Sequence, residues 1–266
     1  MNIFWREMKS HRKSLTFWSI GVFLMVVSGM GKYEAYSSQG QSINVLIADI
    51  PKSLKAVMGF SDVDVSKVSG YYSILFVYIL LMATIHAAML GADIIAKEER
   101  DKTVEFLFTK PLLRSTIITA KLLAAFVNIV VFNLITLISL ITFLGKYNRD
   151  GEAINGHIAL TMVGMFILQI LFMVVGSAIA SVKRNPKSVA SLATGILLFS
   201  YLLSIAIDLN ENLAFLKYIT PFKYFEAEMV MYDGGLNIVY VLISVVVIAV
   251  LAFVTYVFFN KRDLDV

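Results

Sequence analysis

The sequence predicts an all-α membrane protein with six transmembrane helices, and three observations predict it. Apolar residues make up 58% of the 266 positions and charged ones only 16%, against about 45–50% and about 25% in soluble domains. Six stretches, 15–31, 71–93, 117–145, 158–182, 188–207 and 236–259, are long and apolar enough to cross a bilayer, which takes about 20 such residues. The Lys and Arg residues between those stretches concentrate on one face of the implied membrane. The chain is therefore read as a single transmembrane domain over residues 1–266.

Composition also excludes classes. The formal net charge is +4, and the basic residues interrupt apolar runs without forming a basic stripe, so nucleic acid is not an expected partner. There is no cysteine, which removes disulfides, thiolate metal sites and cysteine nucleophiles.

The chain opens with MNIFWREMKSHRKS. Phe4, Met8, His11 and Leu15 align at helical steps, while Trp5, Arg6, Lys9, Arg12 and Lys13 suit the headgroup zone. This predicts an interfacial helix over 1–14. A charged leader before an apolar run also resembles a signal peptide. Run 15–31 continues into Gly31-Lys32-Tyr33-Glu34 with no small-x-small cleavage pattern, so an uncleaved first span is expected.

With six spans, the N-terminus, the loops near 94–116 and 183–187, and the C-terminus share one face. It carries fourteen basic residues in about 50 positions, against eight in about 80 on the other face (32–70, 146–157, 208–235). Both termini are expected in the cytoplasm, and the protein in the cell (plasma) membrane as a multi-pass chain.

Between spans two and three lies AKEERDKTVEFLFTKPLLRSTIITAK, residues 96–121. Each charge at the bilayer centre would cost about 2.5–3.5 kcal/mol, so this stretch is a connector outside the membrane core. Val104, Leu107 and Phe108 fall at i, i+3 and i+4, giving an apolar face on a helix from about 97 to 109, ringed by Glu98, Asp101, Lys102 and Glu105. Pro111 ends it. Such a helix could lie on lipid or present its face to a partner.

GADIIAKEERDKTVEFLFTKPLLRSTIITAKLLAA resembles the region joining the second and third spans in permease subunits of type-2 ABC exporters. That family's pattern is an acidic pair with Arg, then Gly-Thr, a hydrophobic stretch, Pro, an Arg followed by Ser or Thr, and a Lys opening the next span. Here stand Glu98-Glu99-Arg100, Thr103, Leu107, Pro111, Arg114-Ser115 and Lys121; Lys102 departs from it, where glycine is common. ADIPKSLKAVMGF at 48–60 and ITPFKYFEAEM at 219–229 extend the resemblance over most of the chain.

The resemblance implies that the connector, 97–110, is a coupling helix docking on a separate ABC ATPase (nucleotide-binding) subunit. Glu98, Glu99, Arg100, Thr103, Leu107 and Phe108 would lie at that contact, and Lys183, Arg184 and Lys187 at a second, smaller one. It also implies an N-terminal elbow helix and a second permease copy, as a homodimer or a sister permease. ATP and Mg would bind the partner ATPase, with no cofactor on this chain. The expected function is then ATP-driven export of a hydrophobic or amphipathic compound (a peptide, an antibiotic or a lipid-like molecule), and the chain itself would not be an enzyme.

The loop 208–235 is rich in aromatics, among them Phe215, Tyr218, Phe222, Tyr224, Phe225 and Tyr232. It is read as short interfacial or re-entrant helices between spans five and six. The loop 32–69 is read as a small ordered segment. Within the spans, His86 is the ionisable residue that stands out. It neighbours a small-residue face of Ala83, Ala87 and Gly91, which predicts a hydrogen bond across a packed interface, with lining of a path as the lesser role. Gly176 and Ala180 repeat that spacing in span four. Asn128, Asn133 and Gln169 are candidates for helix packing or for the path.

Other chemistry is missing from the sequence. Gly31-Lys32 and Gly145-Lys146 are each followed by Tyr, so there is no GxxxxGK[ST] phosphate loop. His11, His86 and His157 lie in separate segments, and no metal or catalytic set is expected. An intramembrane protease using Glu98-Glu99 would need an Arg four positions on, where Thr103 stands. An ion-coupled secondary transporter, the main alternative, should show broken helices and charged midplane residues.

Overall fold

The computed structural model describes residues 3–37, 41–60, 63–103, 113–148, 151–183, 185–232 and 235–261. It is all helical, with no strand among the described residues. In chain order the α-helices are α1 (Ile3–Ser37), α2 (Gln41–Ala48), α3 (Lys52–Met58), α4 (Val68–Arg100), α5 (Arg114–Tyr147), α6 (Ile154–Val182), α7 (Val189–Leu209), α8 (Ala227–Tyr232) and α9 (Ile238–Lys261). Six of them, α1, α4, α5, α6, α7 and α9, are long and apolar enough to cross a membrane.

The centre of the bundle is the α4–α6 pair, the most enclosed of the long helices. Glycines set its spacing. A methyl group at Gly91 would sit 1.9 Å from the Met173 carbonyl oxygen, and one at Gly176 would sit 2.3 Å from that of Ala88. Backbones this close are possible only where side chains are absent, which is how small-residue faces bind helices in lipid. Ser177 Oγ then donates to the Gly91 carbonyl at 3.1 Å. Around this pair, α1 packs along α5, and α9 along α6. α1, α7 and α9 keep much apolar surface uncovered.

Two expected boundaries are replaced. The 1–14 helix is not separate from the first span: α1 runs unbroken from Ile3 to Ser37. No glycine or proline interrupts it before Gly21. Its stripe of Phe4, Met8 and Leu15 packs against the protein core and not only against lipid. Residues 97–100 likewise do not begin a separate helix, because they are the last turn of α4. The helix stops because Lys102 adopts φ 55°. Thr103 N–H donates to the Glu98 carbonyl at 2.8 Å and Lys102 N–H to that of Glu99 at 3.3 Å, the paired bonds of a left-handed C-terminal cap. Residues 104–112, including Val104, Leu107, Phe108 and Pro111, lie outside the described residues.

On the face opposite the termini, α2 and α3 occupy the first long loop. Short 3-10 turns at Glu211–Tyr218 and Pro221–Lys223 lead into α8 in the last one. The Lys223 ammonium, 7% exposed, sits between Asp208 and Glu226 and bonds both carboxylates. Burial alone would push this ammonium down, but the Glu226 and Asp208 carboxylates override it and hold it above its ordinary value. Glu226 is itself raised above the usual carboxylate value, first by burial and further by Asp208 and Glu228, with Lys223 opposing.

Candidate functional site

The terminal face carries a buried ionic hub where α1, α4 and α5 meet. Its members come from simple helical spacing. Glu7 and His11 are one turn apart on α1, while Asp93, Lys97 and Arg100 follow each other on one side of α4. Lys121 sits two turns into α5. Glu7 and Lys121 are fully buried, and Glu98 is 6% exposed.

Buried charge is tolerable only when paired and hydrogen-bonded, and the hub meets that demand at most atoms. Lys121 Nζ donates to both carboxylate oxygens of Glu98, at 2.8 and 2.7 Å, and to the Ile94 carbonyl at 2.6 Å. Arg6 Nη2 donates to Glu98 Oε1 at 2.6 Å and to Glu7 Oε1 at 2.7 Å. Lys97 bonds Ser10 of α1, and Arg100 bonds Asp93 and Asp101. Glu98 thus joins three helices through its side chain while its backbone carbonyl accepts the cap bond that ends α4.

One corner is looser. Glu7 Oε2 and His11 Nε2 are buried without a hydrogen-bond partner, 3.8 Å from each other. Lys97 Nζ stands 3.6 Å from the same Glu7 oxygen. Arg6 thus holds one oxygen of the Glu7 carboxylate directly, while the other sits in the field of Lys97 without a hydrogen bond.

The sequence-derived residues divide accordingly. Glu98 is at the heart of the hub, and Arg100 is on its rim. Glu99 is half-buried and Thr103 is exposed, both in the turn where α4 ends. Leu107 and Phe108 lie outside the described residues, as does Arg184. Lys183 is half-buried and Lys187 exposed, beside a 3-10 turn at Pro186–Ser188 that touches α4.

The intramembrane candidates are spread along the bundle. His86, 2% exposed, has its ring stacked on Phe132 at 5.0 Å and tilted against Trp18 at 5.5 Å. Its Nδ1 has no hydrogen-bond partner, so the expected inter-helix bond is not made there and ring packing holds the residue instead. Asn133 of α5 bonds Gln169 of α6, whose Nε2 donates to the Ala83 carbonyl of α4 at 3.3 Å. Asn128 Nδ2 donates to the Ala124 carbonyl at 2.8 Å, within α5. The Asn133–Gln169–Ala83 contacts tie three helices together.

Glu7 and Lys121, with Arg6, His11, Asp93 and Lys97, are hub residues that sequence spacing alone does not assign to a site. A lone acid within the basic leader was the available signal for Glu7. Arg6 and His11 lie beside it in sequence, but Lys97 and Lys121 lie 90 and 114 positions away, beyond any local pattern. Among the described residues no group of three or more His, Asp or Glu side chains could hold a metal ion.

The family model described as ABC-2 family transporter protein matches residues 1–264. No curated protein matches the chain.

Proposed function

Since the chain belongs to the ABC-2 family of transporter proteins, as a multi-pass integral membrane permease, we propose that it is the membrane subunit of an ATP-driven exporter. Subunits of this family are typically non-catalytic, so the driving ATPase, with its ATP and Mg, is a separate partner. In this reading the hub faces the cytoplasm of a cell whose plasma membrane the chain spans, and both termini lie inside.

The observation that carries the reading is the position of Glu98. It stands at the last turn of α4, six positions before residue 104, and its carboxylate holds Arg6 of α1 and Lys121 of α5. A push delivered to 104–112 by a closing ATPase would act on α4 and be shared at once with α1 and α5. A helix end tied only by apolar contacts would slide, whereas directional charge-assisted bonds resist sliding. Leu107 and Phe108 would supply the apolar anchors of the docking surface, with Glu99, Arg100 and Thr103 at its rim. Lys183, Arg184 and Lys187 would make the smaller contact.

The uncovered apolar faces of α1, α7 and α9 suit a second permease copy, so that the path forms between two subunits. With few charges inside the spans, the proposed cargo is hydrophobic or amphipathic. Replacing Leu107 and Phe108 together by Asp tests the docking: co-purification with the ATPase should be lost, and undiminished co-purification would remove the coupling role.

A further inference from the structure

A cavity of about 320 Å³ opens on the face opposite the termini, between α3, α4, α7 and α8. Its mouth is charged and its interior is not. Lys52 and Lys55 of α3 supply its cations, and Asp208 at the end of α7 with Glu226 and Glu228 at the start of α8 supply its carboxylates. Phe76, Val77 and Leu80 of α4, with Tyr201 of α7 and Phe222, line the apolar part.

The depth of the cavity follows from helix geometry. Leu80 lies twelve residues past the start of α4, and Tyr201 eight residues before the end of α7. At about 1.5 Å per residue, these positions are about 12–18 Å below the helix ends. The apolar part therefore reaches hydrocarbon depth while the mouth stays at the headgroup level. A molecule filling it must be polar at one end and apolar at the other.

The mouth also sets the charge of that polar end. Lys55 is anchored by donating to the Ala48 carbonyl at 3.0 Å, which aims it without neutralising it. Across the mouth, one ammonium, Lys223, is shared between two carboxylates, and Glu228 adds a third. Cations from one element and carboxylates from others line the same cavity, so a ligand carrying one charge only would gain from one set and lose to the other.

We infer that this cavity is a binding site for a zwitterionic amphiphile, whose anionic group meets Lys52 and Lys55, whose amine meets Glu226 and Glu228, and whose apolar chain lies against Phe76, Leu80 and Phe222. The headgroup chemistry is that of a phosphate ester bearing an amine. It can come from a lipid of the surrounding bilayer or from a dissolved cargo. The inference deepens the permease reading by naming a substrate class, but binding needs no ATPase. Failure of the binding test leaves the coupling proposal standing, and loss of the coupling proposal leaves this site intact.

The test uses the purified full chain in a neutral detergent, with radiolabelled lysophosphatidylethanolamine as the probe. Chain-matched lysophosphatidylglycerol and a long-chain alkylamine compete. The zwitterion should bind about tenfold more tightly than either competitor, and Lys52→Glu with Lys55→Glu should remove that preference and favour the alkylamine. Glu228→Lys should weaken the zwitterion and favour the anionic lysolipid. These side chains are at the mouth, so folding is checked simply by unchanged monodisperse elution. Equal binding of all three probes, or charge-reversed variants that bind like the parent chain, overturns the inference. Nanodiscs then assign the source. Blocking of the probe by phosphatidylethanolamine but not phosphatidylglycerol bilayers supports a lipid occupant, and equal binding in both supports a dissolved one.

Discussion

Lys121 of α5 places its ammonium 2.7 and 2.8 Å from the two carboxylate oxygens of Glu98 on α4, with no solvent access. This pair, with Glu7 and Arg6 beside it, ties the terminal ends of three helices together. Removing Lys121 leaves the buried carboxylates of Glu98 and Glu7 to share Arg6, and breaking a buried pair costs about 3–5 kcal/mol. Lys121→Met should therefore lower unfolding stability in mild detergent by about that amount. Adding Glu98→Met should recover part of the loss, because Arg6 and Glu7 remain paired. A double variant weaker than Lys121→Met alone would contradict the pairing.

The glycine contacts between α4 and α6 make a second prediction. Gly91→Val or Gly176→Val drives a side chain into a backbone carbonyl that cannot move aside. Each should destabilise the protein by about 3 kcal/mol or prevent its accumulation. Gly145→Ala on α5 meets nothing within 4 Å, and should be neutral or stabilising by up to about 1 kcal/mol. Thermal unfolding of the three variants checks the contrast.

Lys102 stands in a left-handed conformation at φ 55°, which costs a residue with a Cβ about 1–2 kcal/mol. Lys102→Gly should relieve this, less the added freedom of glycine in the unfolded chain, for a net gain of about 1 kcal/mol. A loss of stability would mean that the Lys102 side chain makes contacts worth more than the strain.

A pH dependence follows at Glu226. Its proton is held more tightly in the folded protein than in the unfolded chain. Ionising it therefore costs the folded state free energy, a cost absent below the ordinary carboxylate value and growing as pH rises through the raised folded value. Glu226→Gln carries no such cost. The melting temperature of the variant minus that of the parent should increase as pH rises above the ordinary carboxylate value, and a flat difference would contradict the assignment.

Much of this architecture was legible in the sequence because membrane helices announce themselves by composition. The apolar runs mark six helices, and the Ala83–Ala87–Gly91 spacing marks the face of α4 that meets Gly176. The charge of 97–102 marks a helix end outside the membrane core. What local pattern could not convey was continuity and partnership. The Phe4–Met8–Leu15 stripe suits a lipid surface and a protein surface equally, so only packing reveals that α1 is one helix. The hub escapes local pattern because Arg6 and Glu98 are 92 positions apart, and Glu7 is an isolated acid among bases. His86 invites a hydrogen bond, yet Phe132 and Trp18 enclose its ring, and aromatic packing at that distance leaves no spacing signature.

In the proposed mechanism Glu98 passes motor force from α4 to α1 and α5. Its most direct test is substrate-stimulated ATP hydrolysis by the permease–ATPase complex reconstituted in liposomes, with Glu98→Gln in place of the parent chain. Co-purification and basal hydrolysis should be retained, with stimulation reduced about tenfold because the charge-assisted bonds to Arg6 and Lys121 are weakened. Full stimulation in the Glu98→Gln complex would contradict the mechanism.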